Sequence, residues 1–278
     1  MKIEPLLAEK VFFFISNFLI FRKKTLNSLR VLIYHFIPKE YKLKFEEQIK
    51  FFINNFRLLS PEELDLFFEN QFKNDMCLLL TFDDGLKSQY DNAIEILEKY
   101  NIKAIFFIPT KILELKNKQE MEIFSIENIH YGNYKIAFER EFMNITNIEE
   151  IFKLGHKIGS HTINHKKLNN LNKNEIYIEL AKSKEELEKI TYNKIRYFAY
   201  PKGDKTAISY DSLKISKELY DYSFIAIRGF NYPSTNKHLI LRDPIHPYYP
   251  LNYIKKVLYG AFDFYYRRKL PSFEEIKR

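Results

Sequence analysis

The chain has one cysteine, seven glycines and no tryptophan in 278 residues. A lone Cys77 excludes an internal disulfide framework and leans toward a reducing compartment. With so few glycines, and no Gly/Ser-rich or Pro-rich run, no stretch has the composition of an interdomain linker, and no internal repeat is visible. The aromatic run Val11–Phe21 is followed by Arg22-Lys23-Lys24 and is interrupted by Ser16 and Asn17. It falls well short of the roughly 20 residues that span a bilayer. Glu4 and Glu9 spoil a signal-peptide start, and no small-residue cleavage site follows Phe21, so no cleavable signal peptide is recognised. The segment reads either as a helix lying in a membrane interface or as one docked on the domain.

What is present in abundance is apolar and aromatic. Hydrophobic residues make up 46% of the chain, with 26 Phe and 20 Tyr, ample for one large α/β domain or two small ones. The net charge of +8 sits at the ends. Residues 1–24 carry +3 and residues 255–278 carry +4, which leaves the long middle near neutral. Nothing there interleaves basic and aromatic residues as a nucleic-acid reader does, so no nucleic-acid partner is expected. Both ends are basic and carry aromatics, which suggests a peripheral contact with an anionic membrane surface and a cytoplasmic or inner-membrane-peripheral location.

The central stretch is CLLLTFDDGLKSQY, residues 77–90. Cys77 to Leu80 is an unbroken apolar run that reads as a buried, parallel strand. Asp83, Asp84 and Gly85 follow Phe82, and Leu86, Tyr90, Ala93, Ile94 and Leu97 then recur at helical spacing over 86–100. Adjacent carboxylates at the carboxyl end of a buried strand stand where α/β folds put their chemistry. An isolated Asp-Asp-Gly is as readily a turn. About 80 residues on, GHKIGSHTINH places His161 and His165 four apart, so one helical turn would present both imidazoles to a single metal. With Asp84 they make a two-His, one-carboxylate set that leaves a position open for water, while Asp83 stays unligated as a base. A third block, Arg196 to Gly203 (RYFAYPKG), is a strand ending in a Pro/Gly loop.

TFDDG, GSHTxxH and FAYPxG, in this order and at these intervals, resemble the polysaccharide deacetylases of the NodB-homology type, carbohydrate esterase family 4. The likeness is nearer to the branch whose first strand ends in Tyr-His, here RVLIYHF, residues 30–36, and it covers roughly residues 30–245. The resemblance implies a distorted (β/α) barrel of about seven parallel strands. The expected organisation is a single domain over 30–278 with a basic C-terminal tail, preceded by an apolar and basic helical segment over 1–29.

The activity implied is metal-dependent hydrolysis of the N-acetyl amide of an amino sugar in a glycan, sugar-lipid or sugar-nucleotide. Asp84, His161 and His165 would hold one divalent ion, with zinc first among the candidates, and Asp83 would be the general base. Backbone donors of the third-motif loop, around Tyr200, Pro201 and Gly203, would face the substrate oxyanion, and His35 at the mouth would be a substrate contact. Two departures stand out. The Arg that orients the catalytic Asp in better-known members is Ala199 here, with Arg196 and Arg242 as replacements to weigh. The Leu-x-His motif of the general acid is not recognisable, which leaves His246 as the candidate; Lys202 also replaces the usual aromatic. A glycan-binding domain without turnover, and a hydrolase of another amide such as a formamide, are the competing readings.

The remaining chain alternates strands and helices. Strands are expected at 31–36, 77–82, 104–108, 195–200, 223–227 and 238–241, and helices at 44–55, 147–154 and 172–190. The polar stretch 111–145 is expected to be an irregular excursion on the active-site side.

Overall fold

Apolar runs with no polar alternation have no solvent face to offer, so they pair side by side in a sheet covered on both faces. The computed structural model, which describes residues 26–129 and 141–267, places them in one parallel sheet. Its strands are β1 (Ser28–Tyr34), β2 (Arg57–Leu58), β3 (Met76–Phe82), β4 (Ile105–Ile108), β5 (Lys157–Ser160), β6 (Tyr197–Ala199), β7 (Tyr222–Phe224) and β8 (Asp243–Pro244). Seven follow the order β7-β6-β5-β4-β3-β1-β8, and the two-residue β2 lies beside β3. Every pairing between these strands is parallel. The sheet curls until its edges meet one segment: Ile240 bridges Phe224 of β7, and β8 pairs with Leu32 and Ile33 of β1. The fold is therefore a single α/β domain with a distorted (β/α) barrel.

Strand parity divides the core. Leu78, Leu80 and Phe82 of β3 point outward and pack with Phe45, Ile49 and Leu97 of the surrounding helices. Cys77 and Leu79 point inward and pack in one cluster with Val31, Phe107 and Phe224, which Leu64 and Phe67 join. Asp83 continues the inward parity. Burial pushes the Cys77 thiol up to about 12, so it is not a reactive thiolate.

The helices follow their caps. Asn172 accepts from the Asn174 and Glu175 amides while Glu175 bonds back to the Asn172 amide at 2.8 Å, which starts the helix Lys173–Thr191. Ser60 and Glu63 form a second capping box, with Pro61 at the first position, and start a short turn of 3₁₀ helix. The helix expected over 86–100 is divided: Gln89–Ala93 form a widened π turn and Ile94–Lys99 continue as α-helix. The last two expected strands are shorter than their apolar patterns, with β7 ending at Phe224 and Ile240 making a single bridge. Within 111–145, Lys118–Phe124 form a helix and Ser125–Ile129 a second widened turn. The N-terminal segment over 1–25, including Val11–Phe21, lies outside the described residues, as does the chain beyond 267. Among the described residues no helix is long and apolar enough to cross a membrane.

Gly159 of β5 shows how closely the barrel is packed. A Cβ there would lie 2.5 Å from two ring atoms of Phe107 and 3.1 Å from the Tyr197 carbonyl. Gly159→Ala is expected to lower stability by about 1–3 kcal/mol, as overpacking of a filled core does. Urea unfolding of the metal-free protein checks this, and an unchanged midpoint would mean the interior is looser than these contacts imply.

Candidate active site

The carboxyl end of β3 carries two buried acids, Asp83 at 3% exposure and Asp84 at 2%. The Asp83 amide still donates to the Tyr34 carbonyl at 3.0 Å, extending the β1–β3 ladder by one residue. The backbone then turns through two left-handed residues, Asp84 with φ 74° and Gly85 with φ 63°. For an aspartate that conformation is uncommon, and it is held because the surrounding packing specifies it. Gln89, in the π turn, donates through its amide nitrogen to the Asp83 carbonyl at 2.5 Å and to the His35 carbonyl, tying the ends of β3 and β1 together.

Asp83 faces the barrel interior and meets Arg242. The guanidinium donates Nη1–H to Asp83 Oδ1 at 2.7 Å and Nη2–H to Oδ2 at 2.8 Å, a bidentate fork. Arg242 is fully buried, donates further to Thr81 Oγ1 and the Ile225 carbonyl, and lies 5.1 Å from the Phe107 ring centroid. Of the two arginines weighed as replacements at the Ala199 position, the structure brings Arg242 to Asp83. Arg196 is held elsewhere, by Asp65 and Asp221.

Asp84 meets the imidazoles. Its Oδ1 lies 3.1 Å from His165 Nε2 and 3.5 Å from His161 Nε2, and its Oδ2 is 3.8 Å from His35 Nε2. The expected helical turn for the His pair is not formed. The chain after β5 is a loop in which Thr162 and His165 adopt left-handed φ of 65° and 54°, and the His165 amide donates to Thr162 Oγ1 at 3.0 Å. The loop doubles back far enough to bring the two rings to a centroid separation of 4.7 Å. Two His four apart converge here through a tight reversal instead of helix periodicity.

One ligand atom from each of Asp84, His161 and His165 lies within 4.8 Å of the others. Ligand atoms bonded at about 2.0–2.2 Å to a tetrahedral ion stand roughly 3.4 Å apart, so the separations from Asp84 Oδ1 suit one. Both imidazoles are oriented for that role. His161 Nδ1 lies 2.7 Å from the Ala199 carbonyl and His165 Nδ1 lies 2.8 Å from the Asn128 carbonyl. A carbonyl only accepts, so each Nδ1 carries a hydrogen, and each Nε2 is turned toward Asp84 Oδ1. Burial is the largest influence on His161 and drives it down to about 4, so it is neutral at physiological pH. Burial alone would raise Asp84, yet the imidazoles of His165, His35 and His161 hold its carboxyl well below the usual carboxylate range.

The other expected site residues fall around this centre. His246 follows β8, stacks on Tyr248 at 4.9 Å and presents an edge contact to Tyr249. Burial, with His35 and Arg228 nearby acting in the same direction, pushes it down to about 4. Its loop is fixed by Gln48, whose amide nitrogen donates to the His246, Pro247 and Tyr249 carbonyls. Tyr200 does not face the groove: it is 1% exposed, its hydroxyl is 2.7 Å from Ser216 Oγ, and its amide donates to the Phe224 carbonyl. Pro201 has no N–H, so the Lys202 and Gly203 amides are the loop's remaining donors. A cavity of about 240 Å³, lined by Asn128, His165, Lys167 and Lys202 among others, opens beside His165. Gln48, Gln89 and the Asn128 carbonyl were not legible in the sequence, because they act through backbone oxygens that no motif records.

The polysaccharide deacetylase family model matches residues 71–219, more than half of the chain. A Bacillus subtilis protein described as a polysaccharide deacetylase, YxkH, is 29% identical over 182 residues, covering 63% of this chain and 57% of its own length. The chain thus spans little more than half of that relative. Among solved structures, the Streptococcus pyogenes deacetylase PplD, in complex with acetate, superposes with a TM-score of 0.66 at 22% identity over 84% of this chain and 99% of its own. IcaB from Ammonifex degensii gives 0.65 at 20% identity over 84% and 97%.

Four histidines, His156, His161, His238 and His246, are each driven by burial from an ordinary 6.5 down to about 4. On acidification the unfolded chain takes up these protons first. Stability of the metal-free protein should therefore be full above pH 6.5, fall between 6.5 and 4, and level off in this contribution below 4. Denaturation midpoints across that window test it, and a midpoint that stays constant down to about pH 5 contradicts the depressed values.

Proposed function

This chain belongs to the polysaccharide deacetylase family, and from that premise we propose that it is a metal-dependent de-N-acetylase. The substrate is the N-acetyl amide of an amino sugar in a glycan, a sugar-lipid or a sugar-nucleotide. The observation that carries the reading is the split fate of the paired acids: Asp83 forked by Arg242, Asp84 set among imidazole nitrogens.

Asp84, His161 and His165 would hold a divalent ion, with zinc the first candidate for two imidazoles and a carboxylate. When bound, such an ion polarises the amide carbonyl and acidifies a water molecule. Asp83 accepts the proton as water oxygen adds to the carbonyl carbon. Arg242 occupies one lone pair on each Asp83 oxygen and leaves the others for that proton, since a carboxylate offers about four acceptor sites. Asp83 Oδ2 lies 3.9 Å from His161 Nε2, so base and ligand set adjoin. The Lys202 and Gly203 amides are the proposed donors to the oxyanion. As the C–N bond breaks, the nitrogen takes a proton and leaves as a free amine beside acetate. His246 is the proposed donor; with a value near 4 it is mostly neutral at physiological pH, and Asp83 returning its own proton is the alternative route. Acetate is also the molecule bound in the PplD structure.

A chelator should abolish acetate release from N-acetylated amino sugars, and stoichiometric zinc should restore it. A panel of free, polymeric, lipid-linked and nucleotide-linked substrates measures this. Binding of a glycan with no acetate released from any of them would favour the non-catalytic reading. Asp83→Asn is expected to keep metal binding and lower turnover by about 10²- to 10⁴-fold. Arg242→Met should in addition destabilise the fold by about 3–5 kcal/mol, because it strands a buried charge. Asp83→Asn with unchanged turnover would remove that residue from the mechanism.

We also propose that the basic, aromatic ends set the domain against an anionic membrane surface, each Lys or Arg near it contributing about 1 kcal/mol. Co-sedimentation with anionic liposomes that weakens with salt, and is lost on removing residues 1–24, is the expected outcome. Protein left in the supernatant at low salt excludes it.

A further inference from the structure

The two histidines of the proposed metal set are held unequally. The carbonyl that fixes His161 belongs to Ala199, within β6 and therefore part of the barrel wall. The carbonyl that fixes His165 belongs to Asn128, near the end of the widened turn Ser125–Ile129 in the surface excursion. Carbonyls at the C-terminal end of a helical turn have no partner within the helix and take up their orientation from whatever else donates to them. Here that donor is Lys202. Its ammonium gives one hydrogen bond to the Asn128 carbonyl at 3.0 Å and another to the Ile129 carbonyl at 2.6 Å. A single oxygen, that of Asn128, thus accepts from both His165 Nδ1–H and Lys202 Nζ–H.

Lys202 is itself anchored to the barrel. It takes a left-handed φ of 63° between Pro201 and Gly203, and the Gly203 carbonyl accepts from the Ala226 amide at 2.8 Å. A Cβ on Gly203 would lie 2.5 Å from that amide nitrogen, so the loop is pressed against the chain leaving β7. Burial of its ammonium end lowers the Lys202 pKa, and the charge of Asp84 opposes that shift.

We propose that Lys202 is a positioning residue: by clamping the Asn128 and Ile129 carbonyls it fixes the ring orientation of His165, and so sets the affinity of the metal site. The proposal rests on the reading that Asp84, His161 and His165 hold a divalent ion. Without the clamp the Asn128 carbonyl is free to swing away, the His165 Nδ1–H loses its acceptor, and Nε2 is no longer aimed at the ligand set.

The test compares wild type with Lys202→Met and Lys202→Arg in the full chain, reading the zinc dissociation constant by competition with a chromophoric chelator. Loss of an outer partner of a ligating imidazole typically weakens binding by about 10–100-fold, and that loss is expected for Lys202→Met. Lys202→Arg, with several donors on a similar stem, should recover most of it. The metal-free thermal midpoint should move little, because Lys202 is exposed overall and only its ammonium end is covered, by the Asn128 and Ile129 carbonyls. Nuclear magnetic resonance of the metal-free protein should show a hydrogen-bonded, slowly exchanging His165 Nδ1–H in wild type that exchanges faster in Lys202→Met. Wild-type zinc affinity in Lys202→Met overturns the proposal, and so does an unchanged His165 Nδ1–H. A zinc loss matched by a falling metal-free midpoint would make the role merely structural. If the wild type takes up no zinc, the metal reading fails, and the Nδ1–H comparison still decides whether Lys202 holds the ring.

Discussion

Two carboxylates on consecutive residues at the dry end of a strand repel one another and resist losing water, and a fold that keeps both must give each a different neighbour. Strand parity sends Asp83 into the barrel, where a fully buried guanidinium meets it with two parallel hydrogen bonds. The left-handed turn at Asp84 sends the second acid away from that interior, toward three imidazoles. The dependence is mutual. Arg242 has no route to water, so without Asp83 its charge would be unmatched in a pocket floored by Phe107. The curled sheet, the crossing of the segment at 240–245 and the reversal after β5 are arranged around this separation of charges.

Much of this was legible in the sequence because buried parallel strands leave unbroken apolar runs and helix caps leave Asn-x-x-Glu or Ser-Pro-Glu-Glu signatures. The three motif blocks placed their acids and imidazoles at strand ends, where the structure has them. The helical turn expected for His161 and His165 was misread because a spacing of four is shared by helices and by tight reversals, and only the backbone tells them apart. Thr162 carries no residue-type signal for a left-handed φ, and the enrichment of His there does not single out His165. Tyr200, expected near the substrate as part of the third-motif loop, has its hydroxyl paired with Ser216 inside the shell of helices, a partner that no motif records.

Four of the eight non-glycine residues with left-handed backbones among the described residues stand at the site: Asp84, Thr162, His165 and Lys202. Such conformations cost of order 1 kcal/mol or more each and persist where the surroundings over-determine them. They let three loops from distant strands turn sharply enough to place a carboxylate, two imidazoles and an ammonium within one small volume. Regular helix or strand geometry would have carried these side chains apart. The precision of the site is therefore a property of the barrel rim as a whole, with Gln48, Gln89 and the Asn128 carbonyl serving as ties between neighbouring loops.

The segment that joins the two edges of the sheet is also the one that carries Arg242, 159 residues after the acid it grips. During synthesis on the ribosome, Asp83 and both histidines emerge long before this arginine does. A nascent chain that has produced β1 through β6 has Asp84, His161 and His165 in hand but no countercharge for Asp83 and no final stave for the barrel. Completion of the hydrophobic ring and pairing of Asp83 with Arg242 are thus a single late event. A truncated or stalled product would hold the recognisable motifs and still lack the arginine that orients Asp83. Long-range closure of this kind slows folding, and it also ties competence for chemistry to arrival of the last strand.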